Sequence, residues 1–272
     1  MTVDVALRQD GRRGTLAGWL LAVSGPHRTP RRNRQLANLL ALIAGILNSV
    51  GFVAVDDYTS HMTGLTATVA DHLVLGGTAL VAVGVLAIAS FVAGAMACAV
   101  VFNWARRRQL RSKYATVLLL EGLLILLFGA LADVLTWSHR DWVFVSVLCF
   151  TMGLQNAIIT KISQAQIRTT HVTGMVTDIG IELGKLSFRS RRPDLDPVKA
   201  DLRKLATLCA LVGLFFVGGI AGAAGYLAAG FSILIAPALV LLAAAAPPLV
   251  DDLRRGRGGP LLRRLLRRVQ YS

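Results

Sequence analysis

The chain has 272 residues, of which 54% are hydrophobic and only 16% charged, and its formal net charge is +14. Soluble domains carry about 25% charged residues. Here the charges cluster, and the apolar stretches between them reach the roughly 20 residues that cross a bilayer. This pattern sets a soluble enzyme aside and points to an all-α polytopic membrane protein.

In chain order, residues 1–35 form a basic N-terminal segment. Within it, "GTLAGWLLAVSG" follows Arg12 and Arg13 and has the look of a short signal sequence. The "PHRTPRRNR" that comes next would have to be translocated, so an interfacial helix over 14–24 is the expectation instead. Six spans follow, at about 36–55, 78–104, 114–137, 142–162, 205–228 and 231–250. The tail 251–272 contains "PLLRRLLRRVQ", which puts four leucines (261, 262, 265, 266) opposite four arginines, as in an amphipathic helix on anionic lipid.

The basic residues set the orientation. Of 29 Lys and Arg, seven precede the first span, five lie over 106–113, nine over 161–204 and seven in the tail, while Arg140 stands alone. Basic loops stay cytoplasmic. Both termini are therefore expected inside a bacterial inner (plasma) membrane. The positive balance reports membrane contact rather than a nucleic-acid partner.

One motif occurs twice. "TSHMTG" begins at Thr59 and "TTHVTG" at Thr169. Upstream, "GILN" ending at Asn48 matches "GLQN" ending at Asn156. Downstream, "FVAGAMACAV" from Phe91 matches "FVGGIAGAAG" from Phe216. The second half carries about fifteen extra residues in a charged loop, which loops tolerate. The chain thus divides into repeats at 36–137 and 138–250. Three spans per half is an odd number, so the halves enter the membrane from opposite sides, as in secondary transporters. If the segments after the motifs crossed fully, there would be eight spans and a parallel repeat. Their polar content and shortness favour six.

Each motif has a plain structural explanation, with Thr63 or Thr173 capping a helix that starts at Gly64 or Gly174. That explanation leaves the histidine and the preceding hydroxyls unexplained. The alternative is a polar nest at a short helix aimed into the membrane, built from Asn48, Thr59, Ser60, His61, Thr63 and Gly64. Asn156, Thr169, Thr170, His171, Thr173 and Gly174 build its twin. Asn48 and Asn156 can equally serve as interhelical hydrogen-bonding groups.

Ionisable groups near these segments are Asp71, His72, Asp178 and Glu182, and Glu121 lies within the third span. They are the candidates for proton coupling. Lys185 is placed to neutralise Glu182. No metal is expected, since there is no H-x-x-x-H pair. Cys98, Cys149 and Cys209 lie in apolar runs without C-x-x-C spacing, so neither disulfide nor zinc is expected. No cofactor is implied. Small residues (Ser90, Gly94, Cys98; Gly218, Gly222) mark close helix packing, in the chain or in a homodimer.

"YTSHMTGLTATVADHLVLGG", "GLQNAIITKISQAQIRTTHVTGMVTDIGIELGK" and "FVAGAMA" resemble the YoaK-like bacterial membrane proteins, a domain of unknown function, over roughly residues 35–250. The resemblance implies a multi-span inner-membrane protein and carries over no substrate or catalytic residue. Many members have Asn after the first Thr-Gly, where this chain has Leu65, with Met175 in the second copy. The functional expectation is a small secondary transporter or exporter for an unidentified small molecule or ion. The alternative is a non-transporting assembly factor or sensor in which the motifs are structural. An enzyme is not expected, because no serine–base pair, aspartate pair or metal box is present.

Overall fold

The computed structural model describes residues 29–55, 58–134, 140–163, 171–188 and 198–254. Those residues form eight α-helices and no strand: α1 (Pro30–Val55), α2 (Met62–Leu75), α3 (Thr78–Arg107), α4 (Lys113–Leu131), α5 (Arg140–Ser163), α6 (Val172–Ser187), α7 (Leu202–Ala229) and α8 (Ile235–Arg254). Short 3-10 turns follow α4 (Ala132–Val134) and α7 (Gly230–Leu234). The proposed interfacial helix at 14–24 and the leucine–arginine tail lie outside the described residues.

Five stretches are long and apolar enough to cross a membrane, which fits a multi-pass membrane protein. The fifth, Leu202–Arg254, contains both α7 and α8. The last predicted span starts at 231, whereas α8 starts at Ile235. Gly230, at φ +59, breaks the run first. At the other end, Thr29 Oγ1 accepts from the Arg32 N–H and Pro30 opens α1, a position where its missing N–H costs nothing. The helices α2 and α6 have only 14 and 16 residues, too few to span.

The helices pair across the two halves of the chain. α1 lies along α7, α3 along α5, and α4 along α8, while α1 and α5 meet in the middle. Glycine makes the first two pairings possible. A Cβ on Gly153 would overlap the Phe91 carbonyl, and one on Gly94 the Phe150 carbonyl. The same arrangement recurs with Gly45 against Phe215 and Gly218 against Leu42. The small-residue faces read from the sequence are thus used within the chain. This repetition also corrects the alignment by one residue. Phe91 and Gly94 correspond to Phe215 and Gly218, an F-x-x-G shared by both halves, rather than to Phe216 and Gly219.

Two aspartates close the α4–α8 pair. Asp133 Oδ1 accepts from the Phe231 N–H at 3.2 Å, and Asp252 Oδ2 accepts from the Ser112 N–H at 2.8 Å. Each carboxyl satisfies a backbone donor where the partner helix begins.

A third acidic clasp joins α6 to α7. Asp201 caps α7 by accepting from the Arg203 and Lys204 N–H groups at 2.9 and 3.0 Å. Its own N–H donates to Glu182 Oε2 at 2.8 Å, while Lys185 Nζ donates to Glu182 Oε1 at 2.9 Å. Asp178 pairs with Lys204 at 3.2 Å.

Two predictions follow from these contacts. Gly153→Ala should push α3 and α5 apart and cost about 1–3 kcal/mol. In contrast, a Cβ at Gly213 meets nothing within 4 Å, so Gly213→Ala should stabilise by about 0.5–1 kcal/mol. Thermal unfolding of both variants in one lipid or detergent distinguishes them.

The second concerns acid. The Lys185 hydrogen bond, with the Asp201 N–H next, holds the Glu182 carboxyl below its usual value of 4.5, and the Lys204 N–H holds Asp201 below 3.8. A depressed carboxyl contributes stability above its unfolded value and loses it as pH falls through the folded one. Glu182→Gln should therefore be less stable than wild type near neutral pH, and the gap should close below about pH 4.5. A gap independent of pH would contradict the clasp.

Candidate functional site

The breaks after α1 and α5 open onto one cavity of about 660 Å³. Asn48, Ser60, His61, Met62 and Thr63 line it from the first half, and Asn156, Thr160, His171, Val172 and Thr173 from the second. Phe91 and Phe215, the first residues of the two F-x-x-G segments, face it as well, and so does Tyr58. Among the described residues, no lysine, arginine or carboxylate lines it.

The histidines occupy the positions expected for the threonines. His61 and His171 are the N-cap residues of α2 and α6, with φ/ψ of −91/64 and −80/58. The His61 carbonyl accepts from Leu65 N–H and the His171 carbonyl from Met175 N–H, each at 3.0 Å. Thr63 and Thr173 therefore lie one residue inside the helices rather than capping them. Neither N-cap side chain accepts a hydrogen bond from its helix. Both helices begin at the cavity, with the positive ends of their dipoles towards it.

The two halves differ in detail. Asn48 Oδ1 accepts from the Ser60 N–H at 3.1 Å and from its Oγ at 2.8 Å, tying α1 to the motif. Asn156 Nδ2 instead donates to the Met152 carbonyl of its own helix at 3.0 Å. The His61 ring folds over Gly64, where a Cβ would overlap it. At Gly174 a Cβ would meet nothing within 4 Å, so His171 does not lie on its helix in that way. Thr59 is buried with its hydroxyl oxygen unpartnered. Thr169 and Thr170 lie outside the described residues.

The candidates for proton coupling are not brought to the cavity. Asp71 and His72 sit near the far end of α2, about 13–15 Å along the helix from Met62. His72 Nδ1 lies 2.9 Å from the Thr68 carbonyl, which can only accept, so Nδ1 carries the proton. Asp178 and Glu182 belong to the α6–α7 clasp described above. Glu121 is fully buried within α4, away from the cavity lining. Among the described residues, no three His, Cys, Asp or Glu gather as metal ligands.

Sequence reasoning missed Tyr58, Met62, Thr160, Val172 and the two phenylalanines. A signal existed for Phe91, which heads a repeated segment. Met62 and Val172 stand within the repeated motif itself, whereas Tyr58 and Thr160 have no pattern that marks them.

The Asn48–Ser60 link gives a prediction. Asn48→Ala leaves two Ser60 donors without their acceptor and should cost about 1–3 kcal/mol. An unchanged thermal unfolding of Asn48→Ala would show that this link does not hold the first motif.

Comparison with known proteins gives one match. A family model described as a protein of unknown function, DUF1275, covers residues 36–246, from within α1 to within α8. No curated protein matches the chain, and no solved structure does. The matched stretch includes both motifs and every residue that lines the cavity. The chain therefore belongs to the DUF1275 family.

Proposed function

We propose that this protein is a small secondary transporter whose central site is the cavity between the two [TS]-H-x-T-G motifs. On this reading α1, α3, α4, α5, α7 and α8 cross the membrane as two inverted three-helix repeats. Both termini are cytoplasmic, and the membrane is the bacterial inner one. The observation that carries the proposal is that corresponding residues from both halves (Asn48 and Asn156, His61 and His171, Thr63 and Thr173, Phe91 and Phe215) line a single cavity. A motif used only for packing would have no reason to meet its distant twin across open space. Inverted repeats that share a site at their interface are the architecture of alternating access. The reciprocal glycine contacts and aspartate clasps support the two-fold relation.

The site's chemistry also suggests its ligand. Two helix N-termini without an N-cap side-chain bond, two imidazoles and several hydroxyls converge where no acidic side chain lines the wall among the described residues. Helix N-termini favour anionic groups. The aromatic and aliphatic lining suits an organic remainder. The substrate class is a small organic solute with a carboxylate or phosphate group.

The test uses purified full-length protein and a panel of small carboxylates and phosphates beside their neutral amide and alcohol analogues. An anionic member should raise the Tm of wild type and cross the bilayer of proteoliposomes. His61→Gln with His171→Gln should keep the Tm of the solute-free protein and lose both responses. If no solute moves the Tm and the double variant is itself destabilised, the motifs are structural hinges and the proposal is wrong.

A further inference from the structure

One buried group plays no part in the cavity or in the clasps. Glu121 is fully buried in α4, and neither of its carboxyl oxygens has a hydrogen-bond partner. Gln155 of α5, equally buried, lies beside it. The amide is oriented from its other side, where Nε2 donates to the Leu40 carbonyl of α1 at 3.3 Å. A carbonyl accepts only, so Nε2 must face Leu40, and Oε1 is left without a donor.

Three acceptor atoms thus lack a partner in one dry place, where the donor at hand is the second N–H of the Gln155 amide. A bare carboxylate there would cost several kcal/mol. The ion pairs found among the described residues do not include Glu121. The groups around it offer no remedy. From α3, Cys98 lies within electrostatic reach of both Glu121 and Lys161. From α5, Lys161 places its ammonium over the Phe102 ring, 5.3 Å from the centroid. From α8, Ala238 and Leu242 pack on the adjacent Gly122, and Asp252 is engaged with Ser112 at the start of α4. A metal cation would need more oxygens than these, whereas one proton suffices. Bound to Glu121, it makes an O–H that donates to Gln155 Oε1, and both residues are satisfied at once.

We propose that Glu121 and Gln155 form a proton-binding site beside the cavity, with Glu121 holding the proton and Gln155 accepting its hydrogen bond, and that α5 links the site to the cavity. This rests on the reading of the cavity as a transport site. The link is short. Gln155 and Asn156 are neighbours on α5, turned about 100° apart, one towards Glu121 and the other into the cavity. A movement of α5 that accompanies loading at Asn156 also moves the acceptor of the proton. The repeat gives the site no twin, because Gln155 corresponds to Leu47 when Asn156 is matched to Asn48.

Infrared difference spectroscopy of the full chain in lipid bilayers, with no solute added, tests the site independently of any substrate. Wild type should show a protonated-carboxyl band at neutral pH that converts to carboxylate as the pH is raised. Glu121→Gln should remove the band and leave the Tm unchanged, since a neutral amide replaces a neutral acid. Gln155→Leu should shift the band by removing its acceptor, and this second variant serves if the first fails to fold. Asn156→Ala should move the pH at which the band disappears. A wild-type band that neither Glu121→Gln removes nor Gln155→Leu shifts would overturn the site. An unmoved transition in Asn156→Ala would overturn its link to the cavity. Failure of the transporter reading would leave all of these spectra interpretable.

Discussion

Backbone-to-backbone contact between helices of opposite halves is the constraint on which the other features rest. In a bilayer, burying apolar side chains between helices gains little over lipid, so association depends on close packing. Gly45 and Gly218 bring α1 onto α7, and Gly94 and Gly153 bring α3 onto α5. Both contacts cross from one half of the chain to the other, so neither half can pack its long helices alone. The crossing leaves α1 and α5 adjacent in the middle of the bundle. The motif helices α2 and α6 are the next after these two, and their first residues consequently line the same space.

Within that frame the halves are not held alike. The first motif is clamped, because Asn48 accepts both Ser60 donors and the His61 ring lies on Gly64. In the second, Asn156 Nδ2 donates to its own helix and no ring lies on Gly174. Its helix is fastened at the far end, through Glu182 and Asp201. If the two halves exchange roles during transport, each motif must adopt both arrangements. The identities at the paired positions permit this, because an asparagine stands at each and a hydroxyl-bearing residue precedes each histidine.

The long helices were legible in the sequence because bilayer length and charge placement are strong signals. The observed helices overlap all the expected stretches but start or end up to six residues away from them, as at the start of α1 and the end of α4. The starts of the motif helices were misread because Thr-Gly imitates a cap, whereas backbone geometry gives that position to histidine. The repeat was read one residue out of register at "FFVGG", where doubled Phe and doubled Gly hide which pair makes the contact. That both motifs would share a cavity was an expectation of the repeat. That Asp71, His72, Asp178 and Glu182 would lie away from it was not legible, since residue order does not say which end of a short helix faces inward. Asp133 and Asp252 gave no sign at all. Each meets a backbone N–H 98 or 140 residues distant, and such a contact leaves no local pattern.

The buried and clasping acids sort themselves by one criterion. Asp133, Asp252, Glu182 and Asp201 each accept from at least one backbone N–H at a helix end, where the dipole also favours a negative charge. For Glu182 and Asp201 an ionised carboxyl is the stabilising form, and all four acids are part of the scaffold. Glu121 stands in mid-helix, where every backbone N–H is already taken by the helix and none can be offered to a side chain. The Gln155 amide beside it has one N–H committed to the Leu40 carbonyl. A leucine at that position would bring no acceptor of its own. An acid that contributes nothing to the scaffold, in a membrane where carboxylates are costly, is best explained by what it can take up and release.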